Sequence, residues 1–172
     1  ERSAVKAVDH IFVMIDESRD RLLRIGVASA KVTIVSNTPP LARIPARPRV
    51  HEGQDLRIIY VGFITRLRGL DYLICGVREF LSSQGKAQIS LDIVGKGEAS
   101  DELLALVKKF HLESHVRIHG WLPQSSVSEL FSQANVGALT YRICGHWNHT
   151  IPNKIFDYMA AGLPVLATAV EP

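Results

Sequence analysis

The sequence predicts an α/β fold, a Rossmann-like parallel sheet with helices on both faces, and three observations carry the prediction. From Leu56 onward, short apolar runs alternate with longer ones in which apolar residues recur at helical spacing. Glycine and proline stop these runs, as at Gly62, Gly69, Gly162 and Pro164. The run lengths suit right-handed strand–helix–strand units, which make parallel strands. Ligands of such sheets sit beyond the carboxyl ends of the strands, so the loops at those ends are where chemistry is sought.

In chain order, His10 to Ile15 reads as a strand, Glu17 to Ile25 as a helix closed by Gly26, and Lys31 to Val35 as a second strand. Pro39, Pro40, Pro45 and Pro48 then mark an aperiodic, semi-rigid linker. The expected division is residues 1–38, the linker 39–55 and a domain over 56–172. Within that domain, strands are expected at Arg57–Val61, Ile89–Val94, Val116–His119, Val136–Leu139 and Val165–Ala167. Helices are expected at Gly69–Leu81, Asp101–Phe110, Ser125–Ala134 and Asn153–Ala161. Leu70, Leu73, Ile74, Val77 and Leu81 form an apolar face on the first of these helices, and Leu103, Leu104, Val107 and Phe110 one on the second. The last helix is entered through Pro152 and left through Gly162, the places where proline and glycine suit a helix.

At 172 residues, 47% of them hydrophobic and 22% charged, the composition is that of an ordinary globular domain. No window approaches the roughly 20 apolar residues of a membrane span, and the first residues lack a signal-peptide layout, so a cytoplasmic location is expected. Cys75 and Cys144 have no metal or redox spacing and read as free thiols. A net charge of +3 from 20 basic and 17 acidic residues argues against nucleic acid. Anionic small molecules stay open, as does peripheral contact with an acidic membrane, which Arg43, Arg47 and Arg49 hint at. The chain starts without Met and ends soon after an apolar strand, so it is expected to be part of a longer protein.

Candidate binding residues gather at the strand ends. Arg66 and Arg68 lie between Gly62 and Gly69, where guanidinium groups can make paired contacts to phosphate; surface arginines are the alternative. Gly95, Lys96 and Gly97 form a loop that lets a ligand approach the backbone, or simply a tight turn. Trp121 and Leu122 follow the next strand, as pocket residues or edge apolars. Asn153, Lys154 and Asp157 crowd the first turn of the last helix, whose free N–H groups favour an anion. His146, His149 and Cys144 fit no established zinc spacing, and no metal site is expected.

Pro152, Lys154, Asp157, Tyr158, Ala160, Gly162, Pro164 and Val165 together spell P-x-K-x-x-[DE]-Y-x-A-x-G-x-P-V. This resembles the donor-site helix of retaining glycosyltransferases with two Rossmann-like lobes, the GT-B type, glycosyl transferases group 1. The resemblance implies a metal-independent sugar transferase needing no cofactor, this chain being its donor-binding lobe. The donor would be a UDP-, GDP- or ADP-linked sugar, and the acceptor, a sugar or lipid-linked glycan, would be held by the amino-terminal lobe. It places Arg66, Arg68, Lys154 and the backbone at Asn153 on the diphosphate, Asp157 on the ribose, and Gly95, Trp121 and Leu122 around the base. His149 and Thr150 fall on the sugar-side loop, His149 where many relatives carry a glutamate, and Phe63 stands where relatives carry a phosphate-binding arginine. No catalytic residue is expected within the chain. An epimerase or phosphorylase on the same scaffold, or a non-catalytic binding module, remain as alternatives.

Overall fold

Alternation of buried and half-exposed side chains along each run sets the architecture that a computed structural model of the chain displays, describing residues 2–36, 55–83, 88–144 and 152–169. These residues fall into two units, 2–36 with 143–144 and 152–153 in the first, and 55–83, 88–142 and 154–169 in the second. The linker expected over 39–55 lies outside the described residues except at its last position, as do His149 and Thr150.

The first unit comprises α1 (Arg2–Ala7), β1 (Ile11–Val13), α2 (Asp16–Arg24) and β2 (Val32–Ile34). The strand–helix–strand unit read from the sequence is present, with β1 and β2 parallel in the register Ile11–Val32 to Val13–Ile34. Leu22, Val27 and Val32 are its buried centre, with Val5, Ile11, Val13 and Ile25 packed around them. Asp16 and Glu17 in the first turn of α2 and Arg21 and Arg24 in the last complement the helix dipole. Helix α1 was not legible, because R-S-A-V-K-A is too short to show a period.

The second unit is one parallel sheet of β3 (Leu56–Val61), β4 (Ile89–Val94), β5 (Val116–Gly120), β6 (Val136–Leu139) and β7 (Val165–Ala167). The strands lie in the order β5-β4-β3-β6-β7. Four helices alternate with them: α3 (Leu70–Ser83), α4 (Ser100–Lys109), α5 (Gln124–Gln133) and α6 (Lys154–Ala160). Every strand and helix expected after residue 55 is present, with ends displaced by a residue or two. Strand order reverses between β3 and β6, which opens a crevice at their carboxyl ends.

The period of two divides the sheet into faces. Ile58, Tyr60, Leu91, Ile93, Val116 and Ala138 belong to a continuous core with Leu70, Leu73, Ile74 and Val77 of α3 and Leu103 and Val107 of α4. Ile59 and Gly137 pair in register on the opposite face. A Cβ on Gly137 would stand 2.5 Å from the ring of Tyr158, so this glycine is what lets α6 lie against the sheet. Phe131 of α5 packs edge-on to the same ring at 5.9 Å.

Tyr158 also completes the sheet where strand pairing stops. The β3–β6 register ends at Ile59 and Gly137. Beyond it, the Tyr158 hydroxyl donates to Ala138 O at 3.1 Å and accepts from Val61 N at 3.3 Å, so one fully buried side chain bridges the splayed strands. Burial pushes its phenol pKa well up, because the anion could not be solvated there, and outweighs the Val61 N–H, which favours the anion.

Candidate functional site

Three strand ends and two helices enclose a cavity of about 340 Å³. Val61, Gly62 and Phe63 follow β3 into it, and Val94, Gly95 and Lys96 follow β4. Trp121 and Leu122 enter after β5, Gln124, Val127 and Phe131 from α5, and Lys154 and Asp157 from the start of α6. The volume lies in the range of small-molecule sites, and so does the make-up: a mostly apolar wall with a few polar groups.

Its loops are tied to one another through the backbone. Gly62 N donates to Val94 O at 2.9 Å, Ile64 N to Lys96 O at 3.0 Å and Gly95 N to Gly120 O at 2.8 Å. Gly95 has φ of +143°, and a Cβ there would fall 1.8 Å from Gly62 O. Only glycine fits, so the G-K-G loop is a close backbone approach between neighbouring strand ends. Phe63 and Trp121 stand at the cavity with 73% and 68% of their surface exposed, an arrangement the apolar core does not require.

The sequence-derived residues divide sharply. Gly95, Trp121, Leu122, Lys154 and Asp157 line one cavity. Lys154 Nζ donates to Asp157 Oδ2 at 3.1 Å, both about two-thirds buried, so cation and carboxylate face each other across one turn of α6. Asn153 immediately precedes α6 and is exposed. Arg66 and Arg68 are not among the lining residues. Arg66 makes a two-pronged pair with Glu102 of α4, with Nε 3.0 Å from Oε2. This guanidinium holds the Glu102 carboxyl below its ordinary pKa. The Arg68 guanidinium lies 4.6 Å over the ring of Tyr141.

The turn carrying both arginines is fixed by a residue the motifs did not single out. Arg142 donates to Arg66 O at 2.9 Å, to the Tyr72 hydroxyl at 2.5 Å and to Asp71 Oδ2 at 2.5 Å. Its own N–H reaches Leu67 O at 3.0 Å. Phe63, Gln124, Val127, Phe131 and Lys96 likewise enter the cavity without having been assigned a place in it. Two of them had a signal: Lys96 in its position between two glycines at a strand end, and Phe63 as a departure from the family pattern. No group of three or more metal-ligating side chains occurs among the described residues, and no helix among them is long and apolar enough to cross a membrane.

Comparison with known proteins decides the family. The glycosyl transferases group 1 family matches residues 55–172, which take in the whole second unit's sheet and the cavity. The chain belongs to that family. A protein of Escherichia coli (strain K12) bearing the name colanic acid biosynthesis glycosyltransferase WcaL is 28% identical over 149 residues, 86% of this chain and 36% of the relative. The chain thus spans about a third of that relative's length. Among solved structures, Anabaena Alr3699/HepE in complex with UDP superposes with a TM-score of 0.73 at 14% identity, over 98% of this chain and 47% of that one. The pneumococcal O-GlcNAc transferase GtfA, in complex with UDP and GlcNAc, superposes with a TM-score of 0.75 at 15% identity, over 99% of this chain and 32% of that one. At such identities these structures establish a shared fold: the chain has the architecture of a lobe of a GT-B glycosyltransferase.

Proposed function

We propose that this chain is the donor-binding lobe of a retaining, metal-independent glycosyltransferase that takes a sugar from a nucleoside diphosphate to a growing polysaccharide or glycoconjugate. The observation that carries the proposal is the cavity at the strand-order reversal, which joins Gly95, Trp121 and Leu122 to Lys154 and Asp157. The solved relatives that hold UDP, and the polysaccharide named for WcaL, support the same reading.

Departure of a nucleoside diphosphate leaves charge on the phosphates, and a positioned cation with oriented N–H donors stabilises it without a metal. In this reading Lys154 gives up Asp157 for the diphosphate, and Asp157 turns to the ribose hydroxyls. Helix α6 has only seven residues, so the ammonium supplies most of the local positive charge. Trp121, Leu122 and the backbone at Gly95 surround the base. To reach the same phosphates, Arg66 must leave Glu102 and Arg68 must leave its position over Tyr141. Sugar-side contacts from His149 and Thr150, acceptor binding in another lobe and a cytoplasmic site of action belong to the same proposal.

Calorimetric titration with UDP, GDP and ADP tests it, repeated with Lys154→Ala and with EDTA. Binding that EDTA leaves unchanged and the substitution weakens at least tenfold supports the reading, a charged hydrogen bond being worth about that much. Binding that needs a divalent ion, or that ignores Lys154, would overturn it.

A further inference from the structure

The cavity's two lysines differ in what surrounds them. Lys154 faces Asp157 at 3.1 Å. The Lys96 ammonium has no hydrogen-bond or ion-pair partner among the described residues, although it lines the same cavity. Its chain runs toward β5, with Cε 3.9 Å from where a Cβ on Gly120 would stand. Gly120 leads directly into Trp121 and Leu122, so Lys96 belongs to the end of the cavity that the proposed function gives to the base.

Most of the wall there cannot choose between bases. Aromatic faces such as those of Trp121 and Phe63 stack on any base, since every base offers a π surface. Gln124 carries both a donor and an acceptor and can turn either toward a base edge. An ammonium has three donors and no acceptor. It pairs with a carbonyl oxygen and is left unpaired, or opposed, by an amino group.

We infer that Lys96 sets the nucleotide specificity of this site, selecting a base with a carbonyl oxygen at the ring position that faces the ammonium, O4 of uracil or O6 of guanine, over one with an amino group there, N4 of cytosine or N6 of adenine. The inference rests on the donor-lobe reading and adds to it the class of base and the residue that reads it. Specificity of this kind comes from the penalty on the wrong partner as much as from the bond to the right one.

The test is titration of the chain with UDP, GDP, CDP and ADP, for wild type, Lys96→Met and Lys96→Glu. Wild type should bind UDP or GDP roughly tenfold more tightly than CDP and ADP, the scale of one charged hydrogen bond. Methionine keeps the length of the side chain without the charge and should abolish the difference. Glutamate offers an acceptor and should move the preference toward CDP and ADP. Lys96 is exposed, so neither change disturbs the core, and circular dichroism verifies the fold. Equal wild-type binding of all four, a preference that survives Lys96→Met, or an equal loss for all four, which would make Lys96 a phosphate contact, each overturns the inference while leaving the donor-lobe reading intact. Binding of none overturns that reading, and this one with it.

Discussion

The two faces of the second unit's sheet are built on different principles. On the α3 and α4 side, sixteen buried residues from four strands, two helices and their loops form one uninterrupted core. On the α5 and α6 side, where Ile59, Val127 and Ala160 are also buried, the Tyr158 phenol lies over a glycine, packs edge-on to Phe131 and bridges two strands that have stopped pairing. The first arrangement spreads stabilisation over many apolar contacts, each replaceable at moderate cost. The second adds to its apolar contacts the two hydrogen bonds of the Tyr158 hydroxyl, on the helix whose first turn carries Lys154 and Asp157. One face holds the fold, and the other holds the site at the point where the sheet opens.

That contrast is broken most severely by cutting into the larger core. Leu91, with none of its surface exposed at the centre of β4, should lose about 3 kcal/mol of stability on Leu91→Ala, from transferred area plus the cavity left behind. Denaturant melts measure the loss. Nucleotide affinity at temperatures well below unfolding should stay within about twofold, because the contact lies away from the cavity lining.

Gly137→Ala attacks the other face. Its new methyl would stand 2.5 to 2.7 Å from three ring atoms of Tyr158, so the ring, and α6 with it, must move outward. Overpacking of this kind costs about 1–3 kcal/mol. Unlike Leu91→Ala it should also weaken nucleotide binding, since Lys154 and Asp157 ride on the displaced helix. A variant that loses stability but binds as well as wild type would show that the site is not coupled to this face.

Tyr158→Phe keeps the ring and removes the bridge. It leaves Val61 N–H and Ala138 C=O without their hydroxyl partner in a buried place, at a cost of about 1–2 kcal/mol. Alkaline pH sharpens the same comparison. Burial raises the phenol pKa values of Tyr60, Tyr141 and Tyr158, so each contributes stability that is fully present below the ordinary tyrosine pKa and is lost as pH climbs above it. Denaturation midpoints should therefore fall above about pH 10. Tyr158→Phe should fall less steeply, and an unchanged slope would remove Tyr158 from that group.

How legible these features were depends on their range along the chain. Strands, helices and the P-x-K-x-x-D-Y stretch are local patterns, and apart from the short α1 their ends were read to within a residue or two. Gly137 gave no motif, because its meaning lies in a ring 21 positions later in the chain. Arg142 reads as any loop arginine until the fold brings Asp71 and Tyr72 to it. Phe63 was legible only as a departure from the family pattern, and its place at the cavity appears only in three dimensions.

Arg66 marks the other limit of sequence reading, and the smallest expected effect. Its glycine-framed loop suggested a phosphate ligand, yet the guanidinium spans to Glu102 on α4, with both side chains more than half exposed. A pair so exposed is screened by water and counterions, so Arg66→Ala should leave the melting temperature within error of wild type. For nucleotide binding two outcomes separate. If the pair holds while the site is occupied, affinity stays within about twofold and salt dependence is unchanged. If Arg66 swings to the diphosphate, affinity falls roughly tenfold and Glu102→Gln, which frees the guanidinium, should tighten binding. The geometry favours the first outcome. The main chain of the Arg66 turn is already pinned by Arg142, and leaving Glu102 means giving up a two-pronged contact for which the phosphates must compensate. The double variant Arg66→Ala with Glu102→Gln decides whether the two residues act on nucleotide only through each other, because their effects should then fail to add.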